Sequence, residues 1–147
     1  MNPIKEFRGK YYFLSNFFCA PVEYCGIIYQ NNEAAFQSMK CEDYERRHEF
    51  STLDPSKAKA KGRKVRLRND WEQVKEQIMY EIVKAKFEQN DDLRVRLLAT
   101  GDAHLEEGNT WGDRIWGTVG GVGQNKLGKI LMKVRSELAI DKRKRQA

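Results

Sequence analysis

The residues best suited to chemistry fall in two groups. On a helix turning 100° per residue, Glu33, Phe36, Gln37, Lys40 and Tyr44 share one face. A carboxylate, an amide and an amine among two aromatics suit neither a solvated face nor a core face. Two readings fit: a pocket wall that uses both kinds of group, and a boundary helix whose long polar chains reach out to water. The second group lies at 106–117, EEGNTWGDRIWG, where acids stand beside Trp111 and Trp116. Indole rings can stack on a base, and neighbouring carboxylates can move protons. An apolar wall would raise a carboxylate pKa and help it act as an acid. The alternative is a loop pinned by tryptophan burial, with its acids in solvent.

Weaker candidates flank these. The run 13–18, FLSNFF, is either a stacking platform or core. Arg63, Arg66 and Arg68 offer planar forks for phosphate, and their spacing of two suits an extended segment with all three on one side. Residues 123–129, GQNKLGK, fit G-x-x-x-x-G-K. A phosphate-binding loop of that type needs Ser or Thr after the lysine, and Ile130 stands there. The preceding 117–121, GTVGG, makes a poor strand, so the phosphate-loop reading fails. What survives is a glycine-rich entry to a helix, whose free amides could hold a phosphate or ribose. The competing reading is a loop that only turns the chain.

Positioning these groups requires a folded domain, and the chain's 147 residues suit one domain with a real core. Residues 4–30 read as short strands and loops broken at Gly9, Pro21 and Gly26. Asn32 is placed to cap a helix over 33–50, and Asp54-Pro55 to open a short basic helix that stops near Gly62. Asp70 is expected to cap the clearest helix, 71–89, with Trp71, Val74, Ile78, Ile82 and Ala85 at three- and four-residue spacing. A further helix opens at Asp91 or Asp92 and ends before Gly101. Residues 101–124 hold seven glycines and read as a long loop with at most a short strand, and a last helix covers 125–140. The expected fold is α+β: a mostly helical single domain over 1–140 with a few short strands, followed by a disordered basic tail at 141–147.

Charge and cysteine usage narrow the function. The segment 57–68 carries seven positive charges and no negative one, and 142–145 adds four more. Together they exceed the net charge of +6, so basicity is local and points to a phosphate-bearing partner. For the tail, a solvated surface run is the preferred reading. There is no run of 18 apolar residues and no apolar leader at the N-terminus, so a cytoplasmic protein without membrane contact is expected. Cys19, Cys25 and Cys41 form no C-x-x-C and read as buried thiols. Two histidines, His48 and His104, support neither a zinc site nor a histidine-based triad.

Several stretches, in this order, resemble the NADAR (YbiA-like) family: YYFLSNFF, NNEAAFQSMK after Tyr29, GR…LRNDW, VKEQIM…KFEQN, LLATGDAHLEE, DRIWG and GQNKLGKILMKVRSEL. The resemblance covers roughly 7–138. It implies a compact, largely helical fold with a few short strands, and N-glycosidase activity without metal or cofactor. Some family members cleave phosphoribosylated early riboflavin-pathway intermediates, and others remove ADP-ribose from guanine in nucleic acid. The family pattern singles out Glu33, Gln37, Lys40, Arg63, Arg68, Trp71, Glu107, Asp113, Trp116, Gly117, Asn125 and Gly128. Phe13 and Asn16, within YYFLSNFF, join them as expected substrate contacts, whereas Lys64 and Arg66 lie where relatives vary.

Breaking a C1′–N bond creates an oxocarbenium-like ribose and an anionic base. A general acid on the base and a carboxylate near C1′ would both lower the barrier. Glu107 or Asp113 are expected in these roles, with Glu33 as the third candidate. Lys40 has two possible roles: a neutral amine attacking C1′ to give a Schiff base, or a protonated contact to phosphate or the leaving group. Trp116, and with it Trp111, would stack on the base, and the 120–125 loop would hold ribose or phosphate. Three functions follow: a hydrolase on a phosphoribosylated metabolite, a hydrolase on ADP-ribosylated guanine in DNA or RNA, and a non-catalytic module that binds NAD or ADP-ribose.

Overall fold

The computed structural model describes residues 1–146, which group into two compact units. The first spans 16–90 and begins with a hairpin, β1 (Cys19–Tyr24) and β2 (Ile27–Asn31), paired antiparallel with Tyr24 opposite Ile27. Cys25 and Gly26 make the two-residue turn at φ 50° and 84°, the left-handed pair that matches strand twist. Pro21 sits where the register shifts between Cys19 and Val22, a place that tolerates a residue without an amide proton. Alternation buries Ala20, Val22, Ile27 and Tyr29 on one face.

That face and the neighbouring helices enclose α1 (Asn32–Ser38), all seven residues of which are buried. Its cap is Asn31, not Asn32: the Asn31 side chain accepts the Ala34 amide at 2.8 Å. The helix stops at Ser38, so the single helix expected over 33–50 does not form. Asp43 instead caps a separate short helix, α2 (Tyr44–His48), by accepting the Arg46 amide. Between them the carbonyls find side-chain and distant partners. Met39 O accepts from Arg68 Nη1, Lys40 O from the Arg68 amide, and Cys41 O from Arg47 Nε. Those contacts replace the helical ladder, and they remove Tyr44, 57% exposed, from the face that carries Glu33 and Lys40.

The short helix α3 (Pro55–Gly62) starts as expected, with the Asp54 carboxylate on the Lys57 amide and proline in the first turn. The long helix α4 (Trp71–Gln89) buries Trp71, Ile78, Met79, Ile82, Val83 and Phe87, and with them Lys86. Asp70 precedes α4 without a side-chain cap, because both its oxygens bind Arg68, at 2.6 and 3.1 Å.

The second unit combines residues 1–15 with the chain from 91 onward. It holds a 3-10 helix (Gly9–Leu14), α5 (Asp91–Ala99) and α6 (Lys126–Gln146). Between α5 and α6 the long loop forms only isolated bridges, among them Gly108 with Thr118. The stretch 141–146, expected to be disordered, continues α6, with Leu138 its last buried residue. Helices with one small antiparallel sheet make the fold α+β, as the sequence predicts. Among the described residues no helix is long and apolar enough to cross a membrane.

Candidate active site

In the 16–90 unit, α1 brings Glu33 and Gln37 together one turn apart. Both are buried, and Gln37 Nε2 donates to Glu33 Oε1 at 2.9 Å. The Glu33 amide donates to the Asn16 carbonyl, and Asn16 Oδ1 accepts from Asn32 at 3.5 Å. Lys40 lies just past the end of α1, half-buried, with Nζ 3.5 Å from the Gly62 carbonyl. Burial pushes its ammonium below the ordinary lysine value; the Glu33 carboxylate opposes that shift, and Arg63 and Lys59 add to it.

Gly62 does more than stop α3. A Cβ there would overlap the Gln37 carboxamide, so glycine lets α3 close over this side chain. Two buried amide oxygens on α1, Gln37 Oε1 and Asn32 Oδ1, have no hydrogen-bond partner among the described residues. Leaving such an oxygen unpaired costs roughly 1–3 kcal/mol.

Arg63, Arg66 and Arg68 do not form the extended trio expected from their spacing. Arg63 ends α3 in helical geometry and is exposed, while Arg68 is held by Asp70 and by the Met39 carbonyl. The Arg68 guanidinium therefore fixes the turn around Lys40. Trp71 is 5% exposed and packs on Phe36 with ring centroids 5.0 Å apart.

The other unit assembles Glu107, Asp113, Trp116 and Gly117. Asp113 Oδ1 accepts the amides of Ile115 and Trp116 at 3.0 and 2.9 Å, which turns the chain into the Trp116-Gly117 step. A Cβ on Gly117 would overlap the Glu107 carboxylate and carbonyl, so only glycine leaves room for this acid. Trp116 is half-buried, and Trp111 is 57% exposed.

Asn125 and Gly128, expected at the substrate, stand behind Glu107. Asn125, at φ 51°, accepts the Glu107 amide through Oδ1 and donates to the Leu105 carbonyl through Nδ2. Gly128 makes room, since a Cβ would strike the Leu105 carbonyl and the Asn125 side chain. Nor are the amides at the start of α6 free for an anion. Those of Gln124, Asn125, Lys126 and Leu127 donate to the carbonyls of Arg114, Gly117, Ile115 and Trp116. Four backbone bonds thus turn the presumed phosphate cradle into a clamp on the 114–117 loop.

Phe13 belongs to the same unit as these acids and packs in its core. It is 2% exposed, carries the Arg96 guanidinium 4.3 Å above its ring, and lines a cavity of about 520 Å³ with Tyr11 and Thr100. Asn109 was not singled out from the sequence. It is buried, and its side chain touches both acids of the loop: Nδ2 donates to Glu107 Oε2 at 3.0 Å and to the Asp113 carbonyl at 2.9 Å. Its place between two candidate carboxylates, in a turn-forming sequence, was the available signal.

The sequence pattern described as the NADAR domain matches residues 4–139. The chain is 41% identical over 132 residues to N-glycosidase YbiA of Escherichia coli K12, covering 87% of this chain and 82% of that protein. It is 36% identical over 130 residues to riboflavin biosynthesis protein VVA0006 of Vibrio vulnificus, covering 86% of this chain and 35% of that longer protein. The NMR structure of E. coli YbiA superimposes with a TM-score of 0.84 at 40% identity, over 97% of this chain and 89% of that one. A domain match over nearly all of the sequence, joined to this likeness in fold, shows that the chain belongs to the NADAR family.

Proposed function

We propose that this NADAR N-glycosidase hydrolyses the bond between ribose C1′ and the base nitrogen of a phosphoribosylated riboflavin-pathway intermediate. The observation that carries the reading is the cluster at α1: a desolvated lysine in electrostatic range of the buried carboxylate of Glu33. Lys40 is the nucleophile in this scheme. Its neutral amine bonds to C1′ as the C1′–N bond breaks, and the base departs with the bonding pair and takes a proton. The adduct opens to a Schiff base, and water releases ribose phosphate and restores the amine. The reaction also calls for a carboxylate to stabilise positive charge at C1′, and within the other unit, taken by itself, the family pattern gives that role to Glu107. Glu33 acts on the amine through its charge, favouring the ammonium against the burial that favours the neutral form. Asp113, one of whose oxygens is occupied by two amides, shapes the loop.

Names of relatives support the substrate class: two are riboflavin biosynthesis proteins and several are N-glycosidases. These names, and the intact acids, weigh against a non-catalytic NAD- or ADP-ribose-binding module. The exposed cations at the end of α3, Arg63, Lys64 and Arg66, favour a second reading, ADP-ribosylated guanine in DNA or RNA.

Mass spectrometry of base release decides between them. A ribosylamino-pyrimidine phosphate and a short DNA bearing ADP-ribosyl guanine are offered side by side to wild type, Lys40→Ala and Glu107→Gln. Release from the pyrimidine alone is expected. Release from DNA alone would move the assignment to nucleic acid, and apparent affinity for that DNA would then fall steeply with salt. Cyanoborohydride during turnover should leave a ribosyl adduct on Lys40. Full turnover by Lys40→Ala would remove the Schiff base from the scheme. Because the active amine is neutral, kcat/KM should rise with pH until Lys40 has lost its proton, at a pH below the ordinary lysine range.

A further inference from the structure

A carboxylate that acts at C1′ must be held in one orientation and kept ionised, and the 106–117 loop contains a side chain arranged to do both. Asn109 is 6% exposed and uses both ends of its amide. Oδ1 accepts the amides of Trp111 and Asp113 at 3.3 and 3.1 Å, which pins the loop. Nδ2 faces three acceptors: Glu107 Oε2 at 3.0 Å, the Asp113 carbonyl at 2.9 Å and, more weakly, the Glu107 carbonyl at 3.4 Å. The alternative amide orientation is excluded by chemistry. It would aim an oxygen at three acceptors and an NH₂ at two amide protons. The donor against Glu107 is therefore fixed by contacts that do not involve the acid itself.

We propose that Asn109 is a positioning residue for the glycosidase reaction, whose Nδ2 donor orients the Glu107 carboxylate and holds it in its ionised form. The inference rests on the reading of Glu107 as the carboxylate that acts at C1′. Other contacts fix the Glu107 backbone and leave its side chain room. Asn125 accepts the Glu107 amide, the Thr118 amide donates to the Glu107 carbonyl, and Gly117 leaves space for Oε2. Of the other titratable groups of this loop, Arg114 is exposed and the two acids are engaged elsewhere. Glu106 is bound by the Thr118 hydroxyl and pairs with His104 at 3.3 Å, and Asp113 Oδ1 takes two amides. An amide that donates to a carboxylate favours its charged form, whereas an acid in the same place would oppose it.

The two ends of the side chain allow a clean test. Asn109→Asp keeps an oxygen for the Trp111 and Asp113 amides but sets a carboxylate against Glu107. Asn109→Ser keeps a local acceptor for the loop without reaching Glu107. In folded Asn109→Asp, the lower-pH inflection of the kcat/KM profile, below the rise set by Lys40 and where Glu107 gains its proton, should move to higher pH by about one unit or more. In Asn109→Ser, kcat should fall roughly 10- to 100-fold with KM within about threefold. Melting curves establish the folded fraction of each variant. An unmoved lower-pH inflection in folded Asn109→Asp would overturn the inference, as would wild-type turnover per folded molecule in Asn109→Ser. If Asn109→Asp does not fold, Asn109→Ser decides alone. Glu107→Gln separates the two readings. Full turnover there would sink the assignment of Glu107, whereas an inactive Glu107→Gln beside an unmoved Asn109→Asp profile would sink only the role of Asn109.

Discussion

Lys40 is half-buried and Lys86 fully buried, and they differ in what surrounds them. Lys40 keeps a carboxylate and two cations in electrostatic range, an arrangement suited to setting a charge for chemistry. Lys86 is 1% exposed on the core face of α4, with Nζ 5.5 Å from the Phe18 ring and 5.2 Å from the Phe87 ring. Burial alone lowers its pKa to about 7. The sign of the resulting pH dependence follows from linkage. The unfolded chain holds this proton up to an ordinary lysine pKa, so between that value and about 7 the folded state binds fewer protons. Stability from this site is therefore complete at high pH and is lost as pH falls toward 7. Lys86→Met should stabilise the protein by roughly 1–3 kcal/mol near neutral pH. Urea unfolding at two pH values checks this: the advantage should shrink as pH approaches 10, and an advantage independent of pH would contradict the desolvation account.

At the scale of elements, the α1–α3 packing turns on an absent methyl group. Gly62→Ala would drive a Cβ into the Gln37 carboxamide and is expected to cost roughly 1–3 kcal/mol. Thermal melting would show it, and combining it with Gln37→Ala, which removes the obstacle, should recover much of the loss. Gly62 was legible in the sequence as a helix stop, but its role against Gln37 was not, because that contact joins residues 25 positions apart. The same distinction runs through the molecule. Period and capping chemistry located α3, α4 and α5, whose signals are local. The break after Ser38 was missed because Arg68 and Arg47, distant in sequence, supply the partners for its carbonyls. The Glu33–Gln37 pair was readable from helical spacing. The closed start of α6 was not, since glycines before a helix look alike whether its amides face a ligand or a neighbouring loop.

For the whole chain, net charge and stability separate at the C-terminus. The last buried residue of α6 is Leu138, and the cations from Lys142 onward are exposed. They also lie at the helix end whose partial charge is negative, where cations are stabilising by about 0.3–1 kcal/mol. Removing residues 141–147 should therefore lower the melting temperature by only a few degrees. A drop of tens of degrees would show that these residues support the fold. Turnover of a small phosphorylated substrate should be unchanged by the truncation.

The hairpin has a practical consequence through its sulfur atoms. Cys19 on β1 and Cys25 in the turn are exposed, whereas Cys41 is buried, contrary to the expectation of three buried thiols. A thiol reagent added to native protein should modify two groups quickly and the third only on unfolding. A count of three in the native state would contradict the burial of Cys41. The slow thiol is a probe of opening near Lys40, and the fast pair gives the 16–90 unit attachment points for dyes or spin labels. Storage without reductant would expose the same pair to crosslinking between molecules, so samples kept in air should gain disulfide-linked dimers that Cys19→Ser with Cys25→Ser abolishes.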